Sequence, residues 1–244
     1  MHTETLDYTD ADIVCEAFVA YDKTKDRTRP CVLIGHSWVG QTDADRQTAA
    51  KIARLGYVGF ALDIYGKGTR GQASGDNSAL IQPFLDDRAL LRRRLLAGLA
   101  AAKAHPVVDA SRIGAVGFCF GGLCVLDLAR AGTASAGLRG VVSVHGIFAP
   151  PELGRQEKIN AKVLALHGYD DPLATPQHLL DFAKEMSTAA ADWQVHVYGN
   201  TMHSFTSPAA NQPDKGFMYS ADAARRSWVA IQNFFGELFA SSEL

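Results

Sequence analysis

Several signals are missing from this chain. The four cysteines, Cys15, Cys31, Cys119 and Cys124, form no CxxC pair and stand at no histidine spacing of the zinc kind, so they read as thiols, and no metal is expected. No run of about 18 apolar residues occurs that could span a bilayer. The opening MHTETLDYTD has no basic region followed by an apolar stretch, so no secretory leader and a cytoplasmic location are expected. A reducing compartment would also keep a reactive thiol in working form. Net charge is only -2, with a pI near 6.4, which speaks against nucleic acid, whose recognition calls for clustered basic surface. Neither an internal repeat nor a linker interrupts the sequence, so one domain over residues 1–244 is the expectation. Nothing demands more than a monomer or weak homodimer, and a small molecule is the expected partner.

What is present is a globular composition, 47% hydrophobic and 20% charged over 244 residues, enough to bury about 70–75% of the unfolded surface. Short apolar runs recur at 31–36, 57–63, 113–118, 140–145, 162–168 and 193–198. Most are apolar nearly throughout, as strands covered by helices on both faces must be. Helical patterns fall between them, at about 44–55, 84–104, 121–131, 176–189 and 217–240. Strand followed by helix, repeated, is the α/β pattern with a mostly parallel twisted sheet. Residues 4–20 read instead as an antiparallel hairpin at its edge, 23–30 as a charged loop, and 66–77 as a polar loop too short for a lid domain. Arg88, Arg92, Arg93 and Arg94 are expected on the solvated face of a helix whose leucines supply the buried stripe.

Two stretches compete for a nucleophile, GHSWVG (35–40) and GFCFGG (117–122). A nucleophile exposed at the end of a buried strand needs a sharp strand-to-helix turn with small neighbours two residues before and after. Gly117, Cys119 and Gly121 meet that requirement, whereas Ser37 is followed two residues later by the β-branched Val39. The earlier motif follows the first strongly apolar strand, where an α/β hydrolase supplies an oxyanion-hole amide. The expected arrangement is therefore Cys119 as nucleophile, with the Trp38 and Phe120 amides holding the oxyanion. In the order nucleophile, acid, histidine, Asp171 in YDDPLATP and His203 in GNTMHSF follow at later strand ends. Asp170 is a rival acid, and an acidic pair before proline is also ordinary turn chemistry. His36 and His145 lie at strand ends and are candidate pocket residues with Ser37 and Tyr65, while His196 alternates within a strand and reads as structural. Cys15, Cys31 and Cys124 read as small buried hydrophobes. Such a triad needs no cofactor.

The order GFCFGG, HGYDDP and MHSF, with DIYGKG after YVGFAL, resembles the dienelactone hydrolase family over about residues 4–240. The resemblance implies a single lidless α/β-hydrolase domain and hydrolysis of small carboxylic esters or lactones by a Cys-His-Asp triad through a thioester. Two departures stand out. Ser37 occupies the position of the Glu that activates the resting thiol in members resembling the type enzyme, and HSFTSPAA lacks the Arg that binds a substrate carboxylate beyond the histidine. Arg70 in GKGTRG is the candidate substitute for that charge, although loop arginines are mostly solvated. The competing function is a catalytically reduced member serving as a small-molecule binding or thiol-sensing protein.

Overall fold

The structure is a computed structural model that describes residues 1–24, 27–72 and 74–240; Lys25 and Asp26 of the charged loop and Ala73 of the polar loop lie outside it. Eight strands form one sheet in the order β1 (His2–Asp10), β2 (Ile13–Tyr21), β4 (Val58–Ala61), β3 (Arg29–Gly35), β5 (Val108–Phe118), β6 (Leu138–Val144), β7 (Lys162–Gly168), β8 (Trp193–Tyr198). β2 pairs antiparallel with β1 and β4, and every other pairing is parallel. The hairpin edge and the parallel body are both as expected from the sequence.

Apolar runs without alternation are explained by two covered faces. Val141, Val163 and Ala165 join a core with Leu91 and Leu95 of α3 (Arg88–Ala104), Leu123 of α4 (Phe120–Arg130) and Phe182 of α5 (Pro176–Thr188). Their neighbours Val142, Val144, Leu164 and Leu166 join the opposite core with Ile52 of α1 (Asp43–Arg54) and Ile231, Phe234 and Phe235 of α6 (Ala221–Phe239). The two edge strands β1 and β8 keep the alternation of half-covered strands, and His196 of β8 is exposed.

Three expectations are corrected. The helical pattern at 84–104 is two helices, α2 (Ser78–Asp86) and α3, because the Asp87 carboxylate accepts from the Leu90 amide and caps a new start. The last helix starts at Ala221 behind the Ser220 cap, while Phe217–Met218 (β10) pair with Asn211–Gln212 (β9) in a small antiparallel ribbon. The arginine face is not simply solvated. Arg94 is buried, donating to Asp10 Oδ2 at 2.8 Å and to the Ile64 carbonyl at 2.6 Å, and Arg88 grips Asp127 with two bonds. Both tie α3 to distant elements, which a pattern read along one helix does not reveal.

The chain reverses direction across the sheet between β3 and β5. From β3 it winds outward to β4, then returns through α2 and α3 to β5 on the other side of β3. Open α/β sheets form a crevice where the carboxyl ends of such strands part. GHSWVG leaves β3 and GFCFGG leaves β5 at that crevice, with Gly35 and Gly117 in register.

Candidate active site

β5 passes into α4 through a single residue, Cys119, at φ 56° and ψ −116°. A non-glycine residue held there stores about 1–3 kcal/mol of strain. The glycines allow it. A Cβ at Gly117 would collide with the Gly121 carbonyl oxygen, and one at Gly121 with the Gly35 carbonyl oxygen. The helix thus starts hard against the ends of β3 and β5, which brings the two motifs together. Ser37 has no such backbone: it is not among the positive-φ residues. Gly121→Ala is expected to cost about 3 kcal/mol of folding stability by overpacking backbone on backbone; a urea midpoint matching wild type would contradict this packing.

His145, just past β6, braces the turn. The Cys119 amide donates both to the Val144 carbonyl at 3.0 Å and to His145 Nδ1 at 3.1 Å. Nδ1 therefore carries no proton, and Nε2–H donates to Thr206 Oγ1 at 2.7 Å. Burial, reinforced by His203, holds the His145 pKa well below the usual histidine value, so the ring is neutral. His145 was expected as a pocket residue, and its role as an acceptor for the elbow amide is not legible from local sequence. Because the unfolded chain protonates this histidine near pH 6.5 and the folded chain does not, stability is expected to fall as pH drops below about 6.5. His145→Asn keeps an acceptor and cannot titrate, so its denaturation midpoint should depend less steeply on pH in that range; an unchanged slope would count against a neutral His145.

His203 lies in the loop after β8, strapped by the ribbon: its amide donates to the Gly216 carbonyl at 2.9 Å and its carbonyl accepts from the Met218 amide at 3.2 Å. His203 Nδ1 and Asp171 Oδ2 are 2.7 Å apart, with both side chains fully buried. The other Asp171 oxygen accepts from the Leu173 amide at 2.8 Å. Asp170 is exposed, so of the two rival acids Asp171 is the one that meets the imidazole. Nε2 makes no hydrogen bond of good geometry with any described residue, yet the Cys119 side chain lies close enough to act on it. Burial alone would lower the His203 pKa; the Asp171 hydrogen bond, the neighbouring Cys119 side chain and the Asp171 charge outweigh it and raise it to about 10. Cys119 is half-buried, whereas Cys15, Cys31 and Cys124 are fully buried and burial pushes their thiol pKa values up.

The expected pocket residues divide. Ser37 is half-buried and Trp38 exposed. Tyr65 is almost buried, stacked on Phe120 and Phe84 at centroid distances of 6.0 and 5.7 Å, and its hydroxyl donates to the Trp38 carbonyl at 2.9 Å. His36 is corrected: it is fully buried with both ring nitrogens engaged by backbone, so it offers a substrate no surface. Arg70 is half-buried and already paired. It donates to the Thr69 carbonyl at 2.6 Å and pairs with the fully buried Asp63 at 3.3 Å, and Asp63 also accepts from the Gly66 and Glu16 amides. That network fixes the DIYGKG loop and removes Arg70 as a ready carboxylate partner. The Trp38 amide finds no acceptor among the described residues, and the Phe120 amide, first in α4, has no intrahelical one.

Among the described residues no group of His, Cys, Asp or Glu is arranged to hold a metal ion, and no helix is long and apolar enough to cross a membrane. A concavity of about 540 Å³ lies away from Cys119, lined by Arg92, Asp127, Arg130 and Glu185 among others. It carries no evident chemistry, because Arg130 is already bonded to Asp127 and Glu185.

Comparison with known proteins agrees on the family and the fold. The model of the dienelactone hydrolase family matches residues 15–239. A crystal structure of a dienelactone hydrolase-like promiscuous phosphotriesterase from metagenomic libraries is 38% identical, with a TM-score of 0.92 over 98% of this chain and 99% of that one. An uncharacterized Caenorhabditis elegans protein is 38% identical over 157 residues, 64% of this chain and 98% of its own. A Bradyrhizobium sp. protein named "Probable 2-oxo-3-(5-oxofuran-2-ylidene)propanoate lactonase" is 26% identical over 84% of this chain and 86% of its own.

Proposed function

Since the chain belongs to the dienelactone hydrolase family, and is a hydrolase on that ground, we propose that it cleaves small carboxylic esters or lactones in the cytoplasm with Cys119, His203 and Asp171 as its triad. The observation that supports this reading most is the strained Cys119 turn standing beside a buried His203–Asp171 pair whose second ring nitrogen is unspent.

In the proposed cycle His203 Nε2 takes the thiol proton of Cys119, and the sulfur attacks the substrate carbonyl. Asp171 accepts from Nδ1–H, fixing the tautomer and supporting the imidazolium. Negative charge developing on the carbonyl oxygen is met by the Trp38 and Phe120 amides. The C–O bond breaks, the alcohol leaves with the proton from His203, and a Cys119 thioester remains. Water, deprotonated by His203, then releases the acid and restores the thiol. For a lactone the alcohol stays tethered to the acyl group.

With Ser37 in place of an acid, His203 is the partner that draws the proton from the Cys119 sulfur. His203→Gln is therefore expected to slow Cys119 alkylation by iodoacetamide at pH 7 about tenfold or more, since a free thiol is only a few per cent ionised there. An unchanged rate would separate the sulfur from the imidazole. Arg70 being tied to Asp63, uncharged esters and lactones are the proposed substrates over carboxylate-bearing ones. The named activity of the metagenomic relative adds neutral phosphotriesters to the panel worth assaying.

The test is a panel of esters, lactones and thioesters compared among the native chain, Cys119→Ala and Ser37→Ala. Activity lost only with Cys119 supports the proposal. Rapid oxidation of Cys119 with no turnover of any panel member would favour the thiol-sensing alternative.

A further inference from the structure

The carbonyl of Ser37 and the amide of Trp38 belong to one peptide group, and that group is held from behind by a buried histidine. His36 Nε2 accepts from the Ile64 amide at 3.1 Å, so Nε2 carries no proton. The proton of the neutral ring must then sit on Nδ1, which donates to the Ser37 carbonyl oxygen at 2.7 Å. The same oxygen accepts from the Gly40 amide at 3.1 Å. Because the structure has no cis peptide among its described residues, the Trp38 N–H points away from this doubly bonded oxygen.

From this geometry we infer that His36 is a positioning residue of the oxyanion hole: by gripping the Ser37 carbonyl it fixes the peptide plane that aims the Trp38 N–H at the reacting carbonyl. The inference rests on the proposed role of the Trp38 amide and goes beyond it, since His36 touches neither substrate nor Cys119.

Three further features agree. His36 is fully buried, with its ring packed edge-on against Tyr65 at 4.7 Å between centroids, so it has little room to turn. Tyr65 in turn donates to the Trp38 carbonyl, and the Gly71 amide to the Val39 carbonyl at 2.7 Å, so consecutive peptides of the loop are pinned from the side of the DIYGKG loop. Gly121 packs against the Gly35 and His36 carbonyls, so the loop is registered directly on the elbow helix that supplies the Phe120 amide. A donor preset in this way costs no reorganisation when charge develops, which is the source of its catalytic value. Accepting two hydrogen bonds also polarises the Ser37–Trp38 peptide and makes its N–H a stronger donor.

The test compares His36→Phe, which fills the ring volume without either bond, with His36→Asn, whose amide nitrogen can reach the position of Nδ1. For a p-nitrophenyl ester, kcat of His36→Phe is expected to fall about 30-fold with KM changed less than threefold, short of the 10²–10³ for outright loss of an oxyanion donor. His36→Asn is expected to recover most of that loss. Alkylation of Cys119 by iodoacetamide, which needs the thiolate but no oxyanion hole, should match wild type in both variants. Retention of kcat within threefold in His36→Phe, or a parallel fall in kcat and alkylation rate in His36→Asn, would overturn the inference. If His36→Phe does not fold, His36→Ala is measured instead, and full kcat there would equally overturn it. A control with Cys119→Ala separates the two levels: activity surviving in that variant defeats the proposed mechanism itself, whereas activity lost there and kept in the His36 variants defeats only the positioning role.

Discussion

Cys119→Ala is expected to lower kcat/KM for a small activated ester by at least about 10⁴-fold, the scale on which removal of a covalent nucleophile acts when the rest of its machinery survives. What remains would come from binding and the oxyanion donors, neither of which depends on the sulfur. Ser37→Ala should leave most of the activity, because Ser37 lies outside the strained elbow and its side chain makes no hydrogen bond among the described residues. Removing a side chain from a positive-φ site does not relieve the backbone, so Cys119→Ala should unfold close to the wild-type midpoint. A loss of activity accompanied by a large loss of stability would instead describe a core cysteine, and a reversal of the two variants would move the nucleophile to the β3 loop.

Asp171→Asn carries the second large effect, about 10³-fold in kcat. An amide can offer its NH₂ to Nδ1 and so favour the tautomer that leaves Nε2 protonated, unable to take the thiol proton. It also withdraws the carboxylate hydrogen bond that does most to raise the His203 pKa to about 10. A histidine raised from about 6.5 in the unfolded chain gives stability that is fully present below pH 6.5 and is lost as pH rises through about 10. Wild-type stability should therefore decline across that interval, and Asp171→Asn should decline less. The alkaline limb of kcat/KM is expected near pH 10 in wild type, where the imidazolium needed by the leaving group loses its proton, and lower in the variant. Identical alkaline limbs would show that Asp171 does not govern His203.

The fold was legible because burial on both faces leaves a plain mark: runs such as CVLIGH and KVLALHG have no polar register to hide. The elbow was legible for a similar reason, since only glycine can stand where Gly117 and Gly121 meet backbone. Harder to read were features settled by distant partners. Arg94 looks like a surface residue until Asp10 and the Ile64 carbonyl close around it, and Arg70 until Asp63 does. His36 and His145 were visible as strand-end histidines, but their tautomers depend on amides at Ile64 and Cys119 that strand pairing and a crossover bring to them. Asp171 is preferred over Asp170 from its spacing past β7, but that it is the one buried on His203 while Asp170 is exposed depends on how the loop folds.

The most direct measurement is peptide mass spectrometry after rapid acid quench of the enzyme mixed with a slowly deacylating activated ester. The account predicts one acyl increment, confined to the peptide bearing Cys119 and absent in Cys119→Ala. An increment on Ser37, or full turnover with no acyl group on Cys119 at any time point, would contradict it.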